Sequence, residues 1–216
     1  MPNGNSVQVL FPNGSLAHAE CCPCKRPRLL IHPAAAGGPN TCTFVQKQYW
    51  NETHAKRVTA LRGHEPYELE VGILQRLSDL TLPPNCTGHL PRLLRRDDVH
   101  MVWRTTWGGH VVARGSPGNR AFCLLRVEEV GRQANCIEGA LARARVVHLD
   151  LGVKGASRHG KNLAVLNGKI NLFDFDVAVM DENPKSPKLE KRFSESRGYS
   201  VAARILRLHA ELCALG

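Results

Sequence analysis

Residues 162 to 176 constrain the chain more than any other stretch. Two apolar runs, Leu163-Ala164-Val165-Leu166 and Ile170-Asn171-Leu172-Phe173, are separated by Asn167-Gly168. Asn-Gly is a strong hairpin dipeptide because both residues accept the positive φ angles of a two-residue turn. The pattern therefore predicts a hairpin, and strands this rich in Val, Leu, Ile and Phe predict burial. Asn162 enters the hairpin and Asp174-Phe175-Asp176 leaves it. A carboxylate pair at the end of a buried strand needs a compensating partner such as a metal ion. Read singly, Asp174 and Asp176 also fit solvated charges at a turn; their order and apolar flanks favour the metal.

The rest of the chain changes period along its length. Residues 1 to about 40 are rich in Gly, Pro, Asn and Cys, with short apolar runs at 7–11 and 29–31. They read as an irregular extension with short strands. Residues 41–49 alternate and predict a strand with Thr43, Val45 and Lys47 on one face. From 65 to 80 the spacing becomes helical, with Leu69, Ile73, Leu77 and Leu80 on one stripe and Leu74 beside them. At about 100° per residue, Glu70 shares the direction of Leu77 and points inward, whereas Glu68 points elsewhere. Pro83-Pro84 ends that helix. Residues 90–94 and 99–103 read as two strands joined by a turn at Arg95-Arg96-Asp97-Asp98. Residues 122–145 read as one long helix with Leu125, Val130 and Ile137 towards the core. Residues 200–215 read as a closing helix. A β-rich first half followed by a mostly helical second half gives an α+β class.

Taken in order, His148-Leu149-Asp150, then Asn162, then Asp174-Phe175-Asp176 resemble the catalytic loop and metal-binding motif of the protein-kinase-like superfamily. That pattern is H-x-D, then N, then D-F-G or D-x-D, and the resemblance runs over roughly residues 41 to 180. The D-F-D ending, with Ala178 two residues on, is closer to aminoglycoside and choline phosphotransferases or atypical kinases than to most protein kinases. The resemblance implies a minimal bilobal fold: an extension at 1–40, a β-rich N-lobe at 41–112 and a reduced C-lobe at 113–216. It implies an ATP- and Mg2+-dependent phosphotransferase acting on a hydroxyl of a protein or a small molecule. Asp150 would be the catalytic base, Asn162 and Asp174 would hold metal, and Asp176 would share that role. Lys47 would hold the nucleotide phosphates and pair with Glu70, whose setting Glu70-Val71-Gly72-Ile73-Leu74 resembles the superfamily's lysine-pairing helix. A lysine snorkelling at a strand edge and a glutamate at a helix rim are the plainer alternative. The segment 104–109 would be the hinge.

Three departures stand against this reading. No G-x-G-x-x-G precedes Lys47; Gly37-Gly38-Pro39 is the glycine cluster near it. Asp150 to Asn162 spans 12 residues, against about 5 in H-R-D-x-x-x-x-N. The insertion holds Lys154, Arg158, His159 and Lys161, of which Lys154 or Lys161 would reach the γ-phosphate, with Arg158 as rival and a solvated basic loop as the bland case. Third, little more than one helix follows Asp176, without the larger helical lobe that docks peptides in protein kinases, which implies a minimal kinase-like fold or a truncated chain. These departures keep a pseudokinase, a nucleotide-binding or interaction module without turnover, as the alternative.

A formal charge of +10 favours anionic partners, whether nucleotides, nucleic acid, acidic proteins or an anionic membrane face, without choosing among them. The basic residues are dispersed and aromatics reach only 6 %, which argues against a nucleic-acid surface. No run of 18 apolar residues is present, so no membrane span is expected. The polar start Met1-Pro2-Asn3-Gly4-Asn5 lacks the pattern of a secretory signal, giving a cytoplasmic expectation. On that expectation the eight cysteines are free buried thiols and the sequons at Asn13, Asn51 and Asn85 are chance matches. The CxxC from Cys21 to Cys24 has no second pair and is a weak zinc signal.

Overall fold

The structure is a computed structural model that describes residues 7–10, 16–19, 28–33, 42–48, 66–98, 102–106, 108–148, 151, 159–175, 178–180 and 200–214. The described residues form a mixed α+β chain that divides into two compact units. The first takes residues up to Tyr67 and Leu93–Trp107; the second takes Glu68–Arg92 and Gly108 onward.

The first unit is built of strands. A small hairpin pairs β1 (Val7–Leu10) with β2 (Leu16–Ala19). A four-stranded antiparallel sheet runs in the order β3-β4-β6-β5, from β3 (Arg28–Pro33), β4 (Cys42–Gln48), β5 (Leu93–Asp97) and β6 (Val102–Thr106). β4 is an interior strand, so the alternation seen at 41–49 has a partner on each side: Lys47 lies between Leu29 and Trp103. β5 and β6 each begin three residues later than the sequence suggests. Arg95, Arg96 and Asp97 belong to β5 rather than to a turn. β5 is an edge strand with Arg95 and Arg96 exposed, and charge on an edge is tolerated because it discourages further pairing. Tyr67 donates from its hydroxyl to Asp98 Oδ1 at 2.9 Å.

The second unit holds the helices and the larger core. Helix α1 (Pro66–Ser78) buries Glu70, Val71, Ile73, Leu74 and Leu77 and leaves Glu68 exposed, as the 3.6-residue stripe requires. A single 3-10 turn at Pro84–Cys86 follows. The long helix read at 122–145 is in fact two. Helix α2 (Pro117–Cys123) starts at Ser116, whose Oγ accepts from Asn119 N, with proline in the first turn. Helix α3 (Val127–Ala144) follows. Between them Leu125 N bonds Phe122 O, a tightened last turn, and Arg126 takes extended angles as the next cap. Leu124 is consequently 84 % exposed, and Leu125 is only half-buried. α3 turns Val130, Ala134, Ile137, Ala140, Leu141 and Ala144 inward. Helix α4 (Val201–Cys213) is capped by Ser200, which also donates to Glu138 Oε2 of α3 at 3.1 Å.

A three-stranded antiparallel sheet, order β10-β9-β7, completes the unit with β7 (His110–Ala113), β9 (His159–Leu166) and β10 (Lys169–Leu172). The expected hairpin is β9–β10, turning at Asn167 (φ 50°) and Gly168 (φ 74°). Gly109 has φ 105°, and a Cβ there would strike the Val165 carbonyl, so only glycine fits beside β9. The short strands β8 (Val146–Val147) and β11 (Val179–Met180) pair with each other.

The four cysteines whose side chains are described are not free thiols. Cys86 is bonded to Cys136, and Cys123 to Cys213, with Cα separations of 5.1 and 5.3 Å. The first bridge ties the 3-10 turn to α3; the second ties the end of α2 to the end of α4. Cys21, Cys22 and Cys24 lie outside the described residues. No described helix is long and apolar enough to cross a membrane.

Candidate active site at the open end of the hairpin

The pairing of β9 with β10 brings Asn162 and Asp174 to the same end of the hairpin. Leu163 stands opposite Leu172, and Phe173 N donates to Asn162 O at 2.9 Å. Asp174 is the next residue. Opposite β7, β9 carries extra residues: Val111 faces Ala164, but Ala113 faces His159. That bulge contains Asn162, which sits at φ 66°, and Asp174 sits at φ 60°. Asn and Asp are the side-chain-bearing residues best able to adopt left-handed angles. Outliers of this kind gather at functional sites when the surroundings hold them in place. Asn162 is buried and Asp174 half-buried.

Four buried polar side chains from four other segments hold this hairpin. His148, fully buried, donates from Nε2 to the carbonyls of Phe173 and Asp174 at 3.0 and 3.1 Å, and its ring meets Phe175 edge-on at 5.0 Å. Glu70, 1 % exposed, accepts from Phe175 N at 3.1 Å. The backbone flanking the Asp174–Phe175 peptide is thus gripped on both sides, by an imidazole donor and a carboxylate acceptor. Gln133 of α3 accepts from Ile170 N at 2.7 Å and donates to Gly168 O at 2.9 Å. His89 donates from Nδ1 to Ile170 O at 2.8 Å, and its own carbonyl accepts from Leu172 N. Burial, helped by the charges of Lys169 and Arg132, lowers the His89 pKa, so the neutral ring is favoured.

The remaining candidate residues are distributed as follows. Lys47 is 3 % exposed on an interior strand, with Nζ 5.8 Å from the Trp103 ring centroid, which excludes a lysine snorkelling at a strand edge. Glu70 is equally far from a helix-rim position. Asp150, Lys154 and Asp176 lie outside the described residues, and Lys161 is described only as a backbone position of β9. Among the described residues no group of three His, Cys, Asp or Glu could hold a metal ion. Of the residues expected to hold metal, Asn162 and Asp174 are described. The sequence reading passed over Gln133 and His89 altogether and used His148 only as a motif letter.

No family model matches the chain, and no curated protein matches it in sequence. Among solved structures the chain is similar to a Plasmodium kinase domain determined by crystallography, at 11 % identity and a TM-score of 0.44. The similarity covers 85 % of this chain and 63 % of that one, so the chain spans less than two thirds of that domain.

Proposed function

We propose that the chain is an ATP- and Mg2+-dependent phosphotransferase of the protein-kinase-like kind, moving a γ-phosphoryl group to a hydroxyl of a protein or a small molecule. The observation that carries the reading is the paired left-handed backbone at Asn162 and Asp174, joined through Phe173 and braced by His148 and Glu70. Two solvated turn charges would need no such bracing. An amide and a carboxylate are hard oxygen donors and fit Mg2+, which takes one or two carboxylates and leaves positions for phosphate. Bound there, the ion would neutralise phosphate charge. His148 and Glu70 position Asp174 by fixing its backbone. The other roles rest on the motif resemblance: Lys47 for the phosphates, Asp150 for the acceptor proton, Asp176 as a shared metal ligand, and Lys154 or Lys161 for the γ-phosphoryl group.

The test is thermal stabilisation by ATP with and without Mg2+, together with phosphate turnover, in the native chain and in Asp174→Asn. Asparagine keeps the size and tolerates the left-handed angles while removing the charge. At ATP a hundredfold above its dissociation constant the native chain gains about 2.7 kcal/mol. In the variant the Mg2+-dependent part of that gain is lost, and the unliganded midpoint moves little. Equal Mg2+-dependent affinity in both proteins refutes the assignment. Nucleotide binding without turnover in the native chain makes it a binding module instead.

A further inference from the structure

We infer that this chain matures in an oxidising compartment and carries an N-linked glycan on Asn85. The first ground is the pair of disulfides. They join residues 50 and 90 positions apart, and every cysteine whose side chain is described takes part in one. Their Cα separations of 5.1 and 5.3 Å lie within the span of a disulfide. Cytosolic glutathione and thioredoxin keep thiols reduced, so two structural bridges in one unit place its folding elsewhere. The second ground is independent. Asn85-Cys86-Thr87 is an Asn-X-Thr acceptor sequence. It occupies a short surface turn in which Asn85 and Thr87 are both exposed. Arg132 Nη1 donates to the Asn85 carbonyl and Thr87 Oγ1 to the Pro84 carbonyl, so the turn is held by its backbone oxygens. The sequon and the Cys86–Cys136 bridge thus share one surface turn, and both are chemistry of the same lumenal environment.

Each bridge forms when two thiols pass two protons and two electrons to the disulfide of a thiol oxidoreductase, which is released as a dithiol. In the glycan transfer, Asn85 Nδ2 bonds to C1 of an oligosaccharide carried on a lipid pyrophosphate. The C1–O bond to pyrophosphate breaks and Nδ2 loses one proton. The inference does not depend on the phosphotransferase reading.

The experiment uses the chain purified from the cells that make it, quenched in acid and alkylated before digestion. Non-reducing peptide mapping is expected to recover Cys86 linked to Cys136 and Cys123 linked to Cys213. Alkylated, unlinked forms of these four as the main species overturn the inference. Removal of N-glycans in heavy-oxygen water is expected to convert Asn85 to labelled aspartate and to increase gel mobility. Thr87→Ala should lose that mobility change and Thr87→Ser should keep it, which separates loss of the acceptor from misfolding. Linked cysteines with an unlabelled Asn85 overturn the glycan assignment.

Discussion

Gln133→Leu removes one brace of the hairpin while nearly conserving volume, so its cost can be worked from hydrogen bonds. Gln133 is 1 % exposed and bonds three groups: Ile170 N through Oε1 at 2.7 Å, and Gly168 O and Glu129 Oε1 through Nε2 at 2.9 and 2.7 Å. Gly168 is exposed and Glu129 half-buried, so water replaces the lost donor at both. Glu129 also keeps Arg132, the main cause of its lowered pKa. Ile170 is fully buried, and Gln133 Oε1 is the acceptor that satisfies its amide. A buried donor left unsatisfied costs about 1–3 kcal/mol, and the two exchanged bonds add about 1 kcal/mol between them. The total of about 2–4 kcal/mol corresponds to a fall of roughly 5–15 °C in the midpoint for a chain of this length. Thermal unfolding measures the total, and amide hydrogen exchange at Ile170 locates it. A midpoint within about 2 °C of the native chain, with the Ile170 amide still protected, would refute the reasoning.

Other consequences follow from single groups. The folded-state pKa of His89 lies below its ordinary 6.5, first because of burial, so the unfolded chain binds the extra proton more readily. Stability from His89 is therefore complete above about pH 6.5 and is lost as pH falls through the lower folded value. His89→Asn should flatten the midpoint-versus-pH slope on the acid side of 6.5; an unchanged slope would assign that dependence to other groups. Gly109→Ala meets both a φ of 105° and the Val165 carbonyl, and should cost about 1–3 kcal/mol or more in urea unfolding. A cost below about 0.5 kcal/mol would mean that the backbone there relaxes freely.

The parts of the fold legible in the sequence are those whose signal is local. Asn167-Gly168 fixed the hairpin turn because the two residues accept positive φ with no help from elsewhere. The stripe from Leu69 to Leu77 placed Glu70 inside and Glu68 outside by helix geometry alone. The misread parts depend on partners. Arg95-Arg96-Asp97 looks like a turn in isolation and is a strand because β6 pairs with it on one side only. Leu124-Leu125 continues a helical pattern on paper, yet the chain breaks there. The cue that was passed over was Ser116-Pro117, a cap followed by proline in the first turn, which starts a separate helix upstream. The cysteine pairings carry no local signal at all, since partners 50 and 90 residues apart meet only after α2, α3 and α4 have packed.

The face argument that put Glu70 inside applies unchanged to Gln133. Val130, Ala134, Ile137 and Leu141 define the apolar stripe of α3, and position 133 falls within it. A polar side chain there must find buried backbone with a free donor or acceptor, and inside a sheet such groups occur only along an edge strand. β10 is that edge, lying last in the order β10-β9-β7. In an antiparallel hairpin closed at Leu166 and Lys169, residues 170 and 172 turn their N–H and C=O groups away from β9. Those are the groups that are taken: Ile170 N by Gln133, Ile170 O by His89 Nδ1, and Leu172 N by the His89 carbonyl. The edge of β10 is thus closed by two residues, one on a helix and one on a loop, where another fold would add a strand. Covering the edge in this way gives β10 no freedom to shift register. The bond between Phe173 and Asn162 therefore falls at the open end every time the hairpin forms, with Asp174 one residue beyond. A one-residue slip would exchange the outward-facing set 170 and 172 for 169 and 171, leaving both braces without partners. The register that puts Asn162 and Asp174 together is, for that reason, also the register that satisfies the buried polar groups of α3 and of the loop carrying His89.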